Sequence, residues 1–227
     1  MADAGEDAGE DAEEDAGEDA GEDAGEDAGE DAGEDAGEDA GGDEGPEVSP
    51  IVFNEVLIDG ACGEDANGDG SIDAVEDEFI ELINMSNATL DLSGWTLVDR
   101  DWGEYLPRHT FAAGTSLASG AAIVVFGGGE PPEDEARAQY LISNAADPGT
   151  FYGLDLDANG DTIQLLDADG LEVASYGYGD GGDEDAVSDE SNTRAPDLSG
   201  DFTPHSQASG DPEIIFSPGK QIDGSAF

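Results

Sequence analysis

The chain has 227 residues, with 59 Asp plus Glu against 5 Lys plus Arg, for a formal net charge of -54. Phosphate-backbone binding needs clustered Lys and Arg to displace counterions, and Arg100, Arg108, Arg137, Arg194 and Lys220 are the whole supply, so nucleic acid is excluded as a partner. An anionic membrane surface repels such a chain, and no run of about 18 apolar residues is present to insert into a bilayer. Cations are the partners this charge favours.

The acids are unevenly divided. Residues 1–49 carry 23 of the 59 and no base, which leaves 36 acids against 5 bases, or -31, for residues 50–227. A surface this rich in Asp, with a single Lys, also fits a protein working in high salt. Residues 2–40 repeat Ala-Gly-Glu-Asp, broken once where Glu13 replaces the glycine. Glycine in every repeat costs a helix about 1 kcal/mol each relative to alanine, and like charges four apart add repulsion. Nothing apolar larger than alanine offsets the ordering entropy, so a disordered acidic leader is expected over residues 1–49. The chain opens Met-Ala-Asp without a basic or apolar signal region, which taken literally reads as cytoplasmic. Charged, Gly-rich spacers are equally found after a cleaved signal or a lipidated cysteine. The expectation is therefore that the natural start lies upstream and that the protein is extracellular or on the cell surface.

From Pro50 the pattern changes to short β-rich runs. Residues 51–58 are apolar and β-branched, and residues 78–84 alternate polar and apolar as a half-buried strand does. Further strands are expected at residues 90–92, 95–99, 109–111, 122–126, 162–167 and 171–176. Ser93-Gly94, Ala113-Gly114, Ser119-Gly120, Asn159-Gly160 and Asp169-Gly170 are the turns between them. Only residues 133–139, after Pro131-Pro132, offer a short helix. Many short strands with regular turns predict an all-β sandwich.

Asn54-Glu55-Val56, Glu78-Phe79-Ile80-Glu81-Leu82-Ile83-Asn84 and Leu90-Asp91-Leu92-Ser93-Gly94-Trp95-Thr96-Leu97 together resemble the lamin-tail domain. So do His109-Thr110-Phe111, Gly114-Thr115-Ser116-Leu117 and Gly160-Asp161-Thr162-Ile163-Gln164-Leu165-Leu166-Asp167 with Gly170, in the family's order across about residues 51–178. The resemblance implies an immunoglobulin-like β-sandwich. In bacteria such domains look like extracellular modules, often beside hydrolases or cell-surface segments. Trp95 and His109 then read as core-packing side chains, and the domain as residues 50–180.

The sharpest local pattern is Asp65-Ala66-Asn67-Gly68-Asp69-Gly70-Ser71-Ile72-Asp73-Ala74-Val75-Glu76. With Asp65 as position 1, Asn67 is 3, Asp69 is 5, Ser71 is 7, Asp73 is 9 and Glu76 is 12, with Gly70 at 6 for the sharp turn. Every position of the EF-hand calcium pattern is filled. Asp65, Asn67 and Asp69 would give side-chain oxygens, Ser71 its carbonyl, Asp73 a contact through water and Glu76 both carboxylate oxygens. The flanks read as strands, so this is expected to be a calcium-ordered insertion in a hairpin, a staple rather than a sensor.

Other features carry less. Asp157-Ala158-Asn159-Gly160-Asp161 begins the same way, but Thr162 and Ala168 fall where Gly and Glu are required, so it reads as a turn. Gly127-Gly128-Gly129 lacks the lysine and helix of a phosphate loop. Cys62 is the only cysteine and reads as an unpaired loop residue. Asn84-Met85-Ser86 and Asn87-Ala88-Thr89 fit the glycosylation pattern. Residues 181–227 read as an extended arm pinned by Phe202 and Phe216. With two distant histidines and no nucleophile elbow, no catalytic residue is assigned. The expected function is a non-catalytic, calcium-stabilised binding or scaffolding module with a protein or cell-envelope partner. The alternative is an accessory domain for a secreted hydrolase or nuclease on another chain.

Overall fold

The computed structural model describes residues 49–58, 63–101, 104–145, 153–180, 182, 184–185 and 189–227. The leader, Cys62 and Trp102 lie outside the described residues. The described chain forms twelve strands: β1 (Ile51–Leu57), β2 (Phe79–Asn84), β3 (Leu90–Asp91), β4 (Thr96–Asp101), β5 (Glu104–Thr110), β6 (Ser116–Leu117), β7 (Ala122–Phe126), β8 (Ala138–Ile142), β9 (Gly160–Leu166), β10 (Glu172–Gly179), β11 (Asn192–Ala195) and β12 (Asp201–Pro204). A short helix, α1 (His205–Ser209), comes after them. The strands form a six-stranded sheet in the order β12-β11-β1-β2-β7-β8, a four-stranded sheet β10-β9-β4-β5, and the small pair β3-β6. All named pairings are antiparallel except β7 with β8.

The two larger sheets face each other across an apolar core, the arrangement expected of an immunoglobulin-like sandwich. Ile80, Leu82, Ile123 and Val125 come from one sheet, and Leu97, Ile163, Leu165, Tyr176 and Tyr178 from the other. Each large side chain sealed there contributes about 1.5–3 kcal/mol of hydrophobic stabilisation. The alternation read in the sequence is the cause: on β9, Asp161, Ile163 and Leu165 are buried while the residues between them are half-buried. Trp95 packs half-buried against this core and His109 is buried, with its ring edge-on to Phe111 at 4.7 Å.

Three expectations are corrected. Residues 133–139 form no helix; the segment runs straight into β8, where Tyr140 and its neighbours gain a parallel partner in β7. β2 is not half-buried but buried at every residue, because its outer face carries Phe79 and Ile83 into a second apolar cluster with Leu57, Val124, Phe126 and Tyr140. That cluster is covered by Leu198, Phe216 and Phe227. The stretch after residue 180 is therefore not simply an arm. β11 pairs with β1 and β12 with β11, and the residues beyond α1 close over the outside of the sheet. The two expected anchors both hold, on opposite faces. Phe202 packs on Tyr176 at 4.4 Å, and Phe216 meets Phe79 edge-on at 6.4 Å.

Candidate functional site

The loop at residues 65–77 is inserted between β1 and β2, which pair with each other, so the expected hairpin insertion is what the chain builds. Two glycines supply the left-handed turns the loop needs: Gly68 at φ +75 and Gly70 at φ +95. The loop curls round its first carboxylate. Asp65 Oδ1 accepts from the amides of Gly68 (2.7 Å) and Asp69 (3.1 Å), and Asp65 Oδ2 from Gly70 (2.7 Å). The Asp69 amide also donates to Asn67 Oδ1 at 3.0 Å, and Asp69 Oδ1 accepts from the Ser71 amide at 2.8 Å. Asp65, Asn67 and Asp69 are thus tied into one hydrogen-bonded turn system. Asn67 is buried, while Asp69 and Ser71 are exposed.

Asp73 and Glu76 are placed differently. Asp73 Oδ1 caps the amides of Val75 (2.9 Å) and Glu76 (3.1 Å), and those bonds hold its carboxyl below the usual carboxylate range. Glu76 lies half-buried against Gly128. Among the described residues, no group of three or more His, Cys, Asp or Glu side chains converges as a metal site. The donors that the pattern picks out are all oxygens, the chemistry a hard cation such as calcium selects.

Two features of the loop were not read from the sequence. Asp77, one residue past the pattern, is fully buried. Its Oδ1 accepts from the amides of Ala66 (2.9 Å) and Asn67 (3.0 Å), and its Oδ2 from the Asp73 amide (2.8 Å), so it closes the loop from within. Gly127-Gly128-Gly129 is the bed the loop lies on. The Gly127 amide donates to Glu78 O and the Gly128 amide to Glu76 O, and a Cβ at Gly127 would collide with the Val75 carbonyl. At Gly129, φ +75, a Cβ would meet the Asn67 and Asp69 side chains. The signal available in the sequence was the glycine triplet itself, which marks a close backbone approach.

Elsewhere the polar groups serve the fold. Arg108, 3 % exposed, is held by Asp99 and Asp155 at 2.7 Å each. Asp161 sits beside Asp99, and burial together with that carboxyl pushes it up to about 8. His109 lies against Ile142 O at 3.1 Å, and burial lowers it to about 4. Three further bases are engaged through their side chains. Arg137 donates to Phe227 O and Gly120 O, Arg194 to Phe53 O and Gly200 O, and Lys220 pairs with Glu135 at 3.6 Å.

A Ser–His–carboxylate constellation is present, and its geometry is that of a clasp. His205 Nε2 is 2.9 Å from Ser217 Oγ, but the carboxylate, Glu55, accepts from the serine and not from His205 Nδ1, which faces Ile214 O at 3.0 Å. His205 and Glu55 are both fully buried. Of the two glycosylation triplets, Asn84 is sealed, its amide donating to Ala88 O and Leu117 O, whereas Asn87 is exposed on a bend. Asp157 forms the expected turn, its Oδ1 accepting from the Asn159 amide.

The family model described as Lamin Tail Domain matches residues 45–180, about three fifths of the chain. A search of curated proteins finds no match.

Proposed function

The chain belongs to the lamin tail domain family, and from that premise we propose that it is a non-catalytic binding or scaffolding module, stabilised by calcium and displayed outside the cell or on its surface. The lamin-tail sandwich is a typically non-catalytic fold. The observation that carries the reading is the use made of the reactive groups. His205, Ser217 and Glu55 spend their polar atoms on holding segments of the chain together inside the protein, and His109 holds Ile142 O through Nδ1. The engagement of the described Arg and Lys side chains with internal carbonyls and carboxylates supports a partner other than nucleic acid.

Calcium enters through the 65–76 loop. The support is a complete twelve-residue pattern of oxygen donors whose glycines take the turns that the pattern asks of them. Asp65, Asn67, Asp69, Ser71, Asp73 and Glu76 would hold the ion, and its two charges would offset the crowding of four carboxylates. Asp77 and the glycine bed fix the loop to the end of the sandwich, so metal binding there would transmit to overall stability.

The test is thermal unfolding in calcium and in chelator. At free calcium about a hundredfold above Kd, linkage gives about 2.7 kcal/mol and a melting temperature higher by several degrees. Asp65→Ala should melt identically in both conditions. Equal melting of the wild type in calcium and chelator would refute the calcium assignment.

A further inference from the structure

Polar side chains form a row across the inner face of the four-stranded sheet, among the apolar ones. Tyr178 of β10 and Asp161 of β9 are direct cross-strand partners. Asp99 of β4 pairs with Ile163, two residues along from Asp161, which makes the two carboxyls diagonal neighbours on one face. The same face carries Leu97, Ile163, Leu165 and Tyr176 into the core. Arg108 of β5 ends the row against Asp99. Tyr178 is wholly buried, and Asp99 and Asp161 are 3 % and 6 % exposed.

Two sealed oxygens in this row, Asp99 Oδ1 and Tyr178 Oη, have no hydrogen-bond partner among the described residues. Asp99 Oδ2 is taken by Arg108, from Nε at 3.2 Å and from Nη2 at 2.7 Å, and that Nη2 also holds Asp155 at 2.7 Å. Asp161 Oδ1 accepts from the Thr162 amide at 2.5 Å. The charge of Arg108 is thus divided between Asp99 and Asp155. The ionisable groups around Asp161 and Tyr178, namely Asp99, Glu78 and Tyr176, add no cation. An unpaired buried hydroxyl beside an uncompensated buried carboxyl costs the fold in two ways, in desolvation and in charge. A proton on Asp161 removes the charge and reaches Asp99 but gives the phenol nothing. A water reaches the oxygens and leaves the charge. A small cation meets both needs, because carboxylate and phenol oxygens both offer it lone pairs. Calcium takes six to eight oxygens, more than the row supplies, whereas a monovalent ion demands fewer.

We propose that Asp99 Oδ1, Asp161 and Tyr178 Oη hold a sodium-sized monovalent cation inside the sandwich, a structural ion separate from any bound in the 65–76 loop. Its oxygens come from three adjacent strands, so the ion cross-links β4, β9 and β10 through their side chains. The net charge of -54 concentrates such ions around the protein. Burial with Asp99 alongside pushes Asp161 up to about 8, and the field that favours a proton there favours a metal ion in its place. Proton and ion compete, so occupancy rises as pH climbs through that value.

Thermal unfolding of the full chain at about pH 9 tests this. A chelator in every sample strips the 65–76 loop of calcium, so the two assignments stand or fall separately. Melting in sodium chloride is compared with melting in tetramethylammonium chloride of equal ionic strength, whose cation is too large for the row. Sodium should raise the melting temperature over tetramethylammonium by about 3–5 °C for each tenfold rise in concentration above Kd. That gap should close in Asp161→Asn and in Tyr178→Phe, while any general effect of the larger ion persists in both. Tyr178→Phe is the sharper variant, because removing a hydroxyl that binds nothing would stabilise the protein equally in the two salts. Equal melting of the wild type in both salts, as a row holding only a water gives, overturns the proposal. So does a gap of undiminished size in either variant. Should Asp161→Asn fail to fold, Tyr178→Phe, which keeps the ring, decides.

Discussion

The two faces of the six-stranded sheet are buried by different means. The inner face meets the four-stranded sheet through a continuous set of Ile, Leu, Val, Phe and Tyr side chains, and nearly all of these lie within the residues that match the family. The outer face is covered by Leu198 and by residues 205–227, beyond that match, and mixes Phe79, Ile83 and Phe126 with Glu55, Glu81, Asn54 and His205. An apolar interface is non-directional and insensitive to pH. A polar one costs its desolvation unless every hydrogen bond is made, and it then specifies a single partner in a single register. The inner face therefore accounts for most of the stability, and the outer face for which segment lies on it.

Deleting residues 181–227 should have the largest effect. It removes β11, β12 and the cover at once, exposing three aromatic rings and taking the Ser191 and Ser217 donors from Glu55 and the Gly219 amide from Glu81. We expect the truncated protein to lose its cooperative melting transition and to aggregate, as followed by calorimetry and light scattering. A soluble, cooperatively melting truncation would place the cover outside the folding unit. Next in size is a matched pair of substitutions. Phe111→Ala in the inner core should cost about 3–5 kcal/mol in chemical denaturation, whereas Phe216→Ala on the half-buried cover should cost about 1–2 kcal/mol. Equal costs would remove the distinction between the faces. The smallest effect is expected from Gly219→Ala. Gly219 has φ +78, and a Cβ there would run into the Tyr140 hydroxyl, so about 1–2 kcal/mol of local stability should be lost. It should appear as faster exchange of neighbouring amides with little change in melting temperature.

The inner face was legible in the sequence because alternation has a simple physical origin. Residues 122–126 and the apolar positions of β9 fall where the pleat puts them. The outer face was not legible, and Glu81 shows why. In Phe79-Ile80-Glu81-Leu82-Ile83, a glutamate between apolar residues has the pattern of a solvated position, and only a segment more than a hundred residues away turns it into a buried one. β11 and β12 were missed for a related reason. Asn192-Thr193-Arg194-Ala195 has no hydrophobic periodicity, and its strand conformation comes from pairing with β1. The reading of residues 133–139 as helical rested on local propensity, which the parallel pairing with β7 overrides. In the 65–76 loop, spacing revealed the turns and the oxygen-rich positions. Asp77 escaped because it lies outside the twelve-residue pattern and works on backbone amides.

The glycine triplet at residues 127–129 has a consequence for anyone who would use the loop elsewhere. Because the Val75 carbonyl comes too close for any side chain at Gly127, and the Glu76 side chain lies against Gly128, loop and triplet form a matched pair of surfaces from two distant stretches of sequence. A graft of residues 65–77 into another sandwich would therefore need the end of the neighbouring strand transplanted with it.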